Sequence, residues 1–177
     1  MQDEDKIKLG ISIGDINGIG CEVILKTFED PRMLEFCTPI IYASNKTIAF
    51  QKKELGIDVT YHGIQNASKA LDGKINVVNV WKEVPMVNFG DSNEEGGKYA
   101  IKSLRAAVES LKNNEIDALV TAPINKTNIQ ADDFKFPGHT DFLAQELQGE
   151  SLMFMVTEDL KIGLLTDHVA VKDAPSA

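Results

Sequence analysis

The side chains that could act on a small molecule cluster in three places along the 177-residue sequence. The first is a glycine-rich run, Gly14-Asp15-Ile16-Asn17-Gly18-Ile19-Gly20, whose GxxxGxG spacing matches neither the GxGxxG dinucleotide fingerprint nor the GxxxxGK[ST] phosphate loop. Such a connection either lets a ligand approach backbone N–H groups at a helix start or is a tight turn that needs positive φ. The second is Lys126, flanked by Asn125 and Thr127, which could anchor a phosphate or a carboxylate or simply be solvated. The third is histidine: His139 stands between Pro137-Gly138 and Thr140-Asp141, and His168 follows Thr166-Asp167 near the end of an apolar stretch. Strand ends and strand-to-helix junctions are where α/β proteins gather ligands, although a lone histidine is also readily satisfied by backbone or carboxylate partners. His62 has no polar company and reads as structural or solvated.

These residues need elements to hold them. Residues 7–13 alternate and are β-branched, which predicts a strand running straight into the glycine run. Residues 21–29 read as a helix with Val23, Ile24 and Phe28 inward. A short apolar strand over 39–43 follows, then a helix capped by Asn45 or Thr47, reaching Leu55 and stopped by Gly56. This alternation predicts an α/β fold with a mixed, largely parallel sheet. Residues 59–64 and 75–80 read as further strands and residues 85–95 as an exposed loop. Ile101, Leu104, Val108 and Leu111 mark one face of a helix over 97–114. Residues 116–122 predict a strand buried on both faces, with Ala118-Leu119-Val120 at its centre. Residues 136–141 open a helix through Leu147 with Thr140 as its cap, and residues 152–156 and 161–171 read as two strands joined at Glu158-Asp159.

The bulk properties narrow the partners. A formal charge of -9 and an isoelectric point near 4.8 leave no excess of Lys and Arg to neutralise nucleic acid or an anionic membrane. One phosphorylated small molecule remains compatible with that balance. Cys21 and Cys37 match neither a zinc knuckle nor a CxxC pair and read as reduced structural residues. An acidic start, Met1-Gln2-Asp3-Glu4-Asp5-Lys6, is unlike a signal peptide, and no apolar run approaches the roughly 20 residues of a membrane span. The expectation is a cytoplasmic protein with no nucleic-acid or membrane partner.

Four segments, taken together, resemble one family. Gly14 to Glu22 resembles the opening GD-x-x-GIG-x-E of the 4-hydroxythreonine-4-phosphate dehydrogenase (PdxA) family. Residues 118–126 resemble its ALVTAPINK segment, residues 136–144 its FPGHTEFLA segment, and residues 164–173 its LxTxHxPLKD segment. They occur in the family's order, from Ile7 onward, and correspond to the N-terminal half of a family chain. Cys21 stands where proline is common, Asp141 where glutamate is usual, Asp167 where threonine is usual and Ala170 where proline is usual.

The resemblance implies a truncated two-subdomain architecture like that of isocitrate and isopropylmalate dehydrogenases, divided here into residues 1–124 and the beginning of a second subdomain over 125–177. It implies that His139 and Thr140 bind substrate, with Lys126 as a further substrate contact, and that Gly14, Asp15, Gly18 and Gly20 serve the cofactor. His168 would be one of three histidine ligands of a divalent metal, zinc, magnesium or cobalt, and no residue is singled out as the catalytic acid or base. The implied reaction oxidises the secondary alcohol of 4-phosphooxy-L-threonine with NAD or NADP, giving a 2-amino-3-oxo acid phosphate that loses CO2, in vitamin B6 synthesis. The implied assembly is a homodimer with the active site at the subunit interface. Two other readings stand beside it: a paralogue acting on threonate or erythronate 4-phosphate, and an inactive chain that serves only as a binding or assembly module. The isolated chain, with one of three metal histidines, is expected to lack activity.

Overall fold

The computed structural model describes residues 6–131, 134–166 and 169–176. The chain forms two compact units, one ending at His139 and the other beginning at Thr140. Residues 125–131 and 134–139, expected to open a second subdomain, fall in the first unit, where Ile129 and Phe134 are each 1% exposed.

The first unit is a five-stranded sheet in the order β3-β4-β2-β1-β5, with every pair parallel. Its strands are β1 (Ile7–Ser12), β2 (Cys37–Ala43), β3 (Tyr61–Ile64), β4 (Ile75–Asn79) and β5 (Ala118–Thr121). Central β2 is buried along its whole length, and its side chains divide by alternation. Cys37, Ile41 and Ala43 join Cys21, Ile24 and Leu25 of α1 (Gly20–Thr27) and Ile48 of α3 (Asn45–Leu55) in one core. Ile40 and Tyr42 join Ala107 of α4 (Glu94–Lys112) in the other. A short helix, α2 (Met33–Phe36), leads into β2. Buried Ser103 on α4 ties the sheet from one side: its Oγ accepts from the Ile13 amide at 3.0 Å and donates to the Tyr42 carbonyl at 2.6 Å.

Several local expectations change. Ser44, rather than Asn45 or Thr47, caps α3, its Oγ accepting from the Thr47 amide, while Gly56 ends that helix at φ 66° as expected. Val23 is 52% exposed instead of inward, because Gly20, Cys21, Ile24 and Leu25 form the buried stripe of α1. Strand β5 is not buried on both faces: it pairs with β1 on one side only, and Val120 is 47% exposed. The loop over 85–95 ends early, since Glu94 already begins α4 behind an Asn93 cap.

In the second unit, α5 (His139–Glu146) starts at the unit boundary, which puts Thr140 in the first turn and not at the cap. An antiparallel hairpin follows, β6 (Met153–Val156) with β7 (Lys161–Leu164). The strand expected to reach Val171 stops at Leu164, and residues Val171–Ser176 form a 3-10 turn containing Pro175.

Candidate functional site

The strand order sets the location. From β1 the chain moves through α1 to β2 on one side, whereas α4 returns it to β5 on the other, so the loops following β1 and β5 meet at the carboxyl ends of adjacent strands. That is the crevice where open parallel sheets bind ligands. The loop after β1 is the glycine run, and the loop after β5 carries Lys126.

The glycine run is held tightly by protein. Gly14 has φ +68°, and a Cβ there would lie 2.1 Å from the Pro123 carbonyl oxygen. A Cβ on Gly20 would lie 2.3 Å from the Ile13 carbonyl oxygen. Only glycine fits either position, for reasons of backbone approach. The amides are also engaged: Asp15 N donates to Pro123 O, Gly18 N to Asp15 O, and Asn17 N to Asp15 Oδ1. Gly18 alone among these positions has ordinary space around it, its nearest neighbour being 3.5 Å from a built Cβ.

Asp15 organises what surrounds it. Its side chain is 6% exposed, and Oδ2 accepts from Asn128 Nδ2 at 2.8 Å. Asn17, 2% exposed, accepts from the Asn88 and Gly90 amides and donates through Nδ2 to Asn93 Oδ1, which also caps α4 by accepting from Gly96 N. Helix α4 reaches this cluster because its first turn is Glu94-Glu95-Gly96-Gly97. A Cβ on Gly96 would lie 2.4 Å from Asp15 Oδ1, and one on Gly97 would overlap the Asn128 carbonyl. The helix N-terminus therefore faces a buried carboxylate, a favourable pairing with its dipole. Sequence reasoning passed over Asn93, Gly96, Gly97 and Asn128; a Gly-Gly pair opening a strongly amphipathic helix is the one signal that marked the spot.

Lys126 and His139 come together within the first unit. A Cβ on Gly138 would lie 4.0 Å from Lys126 Cε, and Gln130 Nε2 links the two segments by donating to the carbonyls of Lys126 at 3.4 Å and Phe136 at 3.0 Å. His139 is half-buried, with Nε2 enclosed and without a hydrogen-bond partner among the described residues. Burial, and secondarily the Lys126 ammonium, push its pKa below the ordinary imidazole value. The pair is thus an exposed cation beside a half-buried, neutral imidazole, which suits an anionic, hydrogen-bonding ligand.

Thr140 follows His139 in α5, and His62 is exposed on edge strand β3. His168 and Asp167 lie outside the described residues. Cys21 and Cys37 are free and buried, burial pushing the Cys21 thiol up to about 12. Among the described residues no cluster of three or more His, Cys, Asp or Glu side chains is placed to hold a metal ion, so these residues by themselves do not fit one. The engaged amides at positions 15, 17 and 18 likewise do not form a phosphate cradle. Among the described residues no helix is long and apolar enough to cross a membrane.

Fold and site together define a parallel α/β domain with polar loops converging at the switch point of its sheet. Comparison with known proteins narrows that class. Residues 35–177 match the family described as "Pyridoxal phosphate biosynthetic protein PdxA", and the chain belongs to that family. It is 43% identical over 173 residues to a 4-hydroxythreonine-4-phosphate dehydrogenase of Bacteroides thetaiotaomicron, covering 97% of this chain and 48% of that protein. It is 31% identical over 170 residues to a D-threonate 4-phosphate dehydrogenase of Cupriavidus necator, covering 94% and 51%. A crystal structure of a 4-hydroxythreonine-4-phosphate dehydrogenase from Burkholderia phymatum superposes with a TM-score of 0.85 at 28% identity, covering 96% and 52%. The chain spans about half the length of the curated relatives it matches.

Proposed function

We propose that this chain supplies the substrate-anchoring half of a dehydrogenase that oxidises 4-phosphooxy-L-threonine with NAD or NADP, in the synthesis of pyridoxal phosphate. The observation that carries the reading is the juxtaposition of Lys126 with the half-buried, neutral His139, in a chain whose relatives are named for that reaction. Lys126 supplies charge to an anionic group of the substrate. His139, neutral at physiological pH, donates or accepts one directed hydrogen bond, and Thr140 is assigned to the same ligand. The glycine run with Asp15 and Gly18 is assigned to the cofactor side, His168 to a divalent metal completed by ligands from further sequence, and the working assembly to a cytoplasmic homodimer. Held there, such a metal would supply charge that lowers the pKa of the substrate alcohol. A nicotinamide on the glycine-run side would accept the hydride from the alcohol carbon as the hydroxyl proton is released, and the resulting 3-oxo acid would lose CO2.

A second reading, oxidation of a phosphorylated four-carbon sugar acid, is favoured by the relatives named D-threonate 4-phosphate dehydrogenase, at 29–31% identity. Both use the same anion anchor.

The test is made in a polypeptide extended to the length of the relatives. It should reduce NAD+ or NADP+ with 4-phosphooxy-L-threonine, while the 177-residue chain alone should not. His139→Ala should lower kcat/KM by about 10- to 100-fold, the loss of one hydrogen bond to a charged group, with bound metal unchanged. Loss of the metal in that variant would reject the assignment of His139 to substrate. Turnover of D-threonate 4-phosphate in place of the threonine compound would select the second reading.

A further inference from the structure

We propose that Asn128 is a positioning residue for Lys126, its side-chain amide clamping the Lys126 loop onto the Asp15 carboxylate. The inference rests on the reading that Lys126 and His139 form one ligand-binding site. Asn128 is two residues from Lys126 and is held from three directions. Its amide nitrogen faces Asn125 Oδ1, which accepts from Thr127 N at 2.9 Å and from Asn128 N at 3.4 Å. Its carbonyl is pressed against Gly97, where any side chain would overlap it. Its Nδ2 donates to Asp15 Oδ2 at 2.8 Å across 113 residues of sequence.

The orientation of that amide is forced. An ionised carboxylate only accepts, so the NH2 end must face Asp15. Asn128 Oδ1 is then left enclosed without a partner among the described residues. The amide thus satisfies Asp15 and leaves its own oxygen unsatisfied, so the bond fixes the loop to the glycine run and not to bulk solvent. Asn125 Nδ2, donating to Ser92 Oγ at 2.9 Å, holds the other end of the same turn. Between these two tethers the Lys126 backbone has little freedom, and its ammonium stays beside His139 instead of sweeping through solvent.

The test reads the His139 ring by NMR titration in the 177-residue chain, with circular dichroism and melting as controls for folding. Lys126→Met should raise the His139 midpoint toward the ordinary imidazole value. Asn128→Ala should raise it in the same direction, and the double variant should titrate like Lys126→Met alone. The exchanged pair Asp15→Asn with Asn128→Asp restores one donor against one carboxylate and should bring the midpoint back toward wild type. A folded Asn128→Ala protein with an unchanged midpoint would overturn the proposal, as would an exchanged pair that stays shifted. If Asn128→Ala fails to fold, the exchanged pair decides between the same two outcomes. An unchanged midpoint in Lys126→Met would instead show that the lysine and histidine do not share a site, removing the underlying reading and the positioning role with it.

Discussion

His139 couples the candidate site to stability as well as to ligand binding. Its folded-state pKa is lowered, first by burial and then by Lys126, whereas in the unfolded chain it should titrate near the usual value of about 6.5. Between those two values the unfolded state holds more protons than the folded state, so stability rises with pH across the window. The contribution is complete above about pH 6.5 and is lost as pH falls through the lowered folded value. Urea midpoints measured from pH 7.5 down to pH 5 should therefore fall more in wild type than in His139→Gln; parallel curves would show that the imidazole does not titrate differently in the two states. At this scale the sequence was informative about residue type and silent about company. Pro137-Gly138-His139-Thr140 marked a polar junction, but nothing local placed the Lys126 stem against Gly138 or the Asn128 amide on Asp15, 113 residues away.

Elements were legible where a local rule decides and misread where a distant partner does. Gly56 at the end of α3 and the stripe of Ile101, Leu104 and Val108 on α4 followed from capping chemistry and helical period. The run Ser44-Asn45-Lys46-Thr47 offers three residues able to cap, and the choice of Ser44 depended on backbone direction leaving β2. Strand β5 looked doubly buried because its composition is apolar, but burial depends on neighbours that a local window does not contain. Both bonds to Asn93 Oδ1, from Gly96 N and from Asn17 Nδ2, require an acceptor. Asn93→Ala should cost about 1–2 kcal/mol, the loss of a cap together with a buried link, whereas Asn93→Asp should retain most of the stability. Equal losses in urea denaturation would mean that the cap does not hold the helix start.

For the whole molecule, the two units differ in what protects them. In the first, β2 is fully buried and the core side chains of β1 and β2 lie between helices on both faces. In the second, all four residues of β6 are exposed, Phe154 by 56% and Met155 by 60%, and the hairpin has only two strands. Isolated two-stranded hairpins are marginal in water. Hydrogen exchange should accordingly be about 100-fold or more faster at amides in β6 and β7 than in β1 and β2, a difference of about 2.7 kcal/mol in opening free energy. Comparable protection in both units, measured peptide by peptide, would contradict this division.

Ser103 has a consequence for the order of events as the chain is made. Its hydroxyl joins the Ile13 amide and the Tyr42 carbonyl, contacts separated by 90 and 61 residues of sequence. Closing such long loops costs entropy before any contact repays it, which slows non-local parallel sheets. During synthesis β1 and β2 can leave the ribosome well before α4, yet the carboxyl ends of both strands lack this tie until residue 103 has emerged and docked. The glycine run begins directly after Ile13, so the end of the sheet that carries the candidate site stays without this tie until α4 has docked.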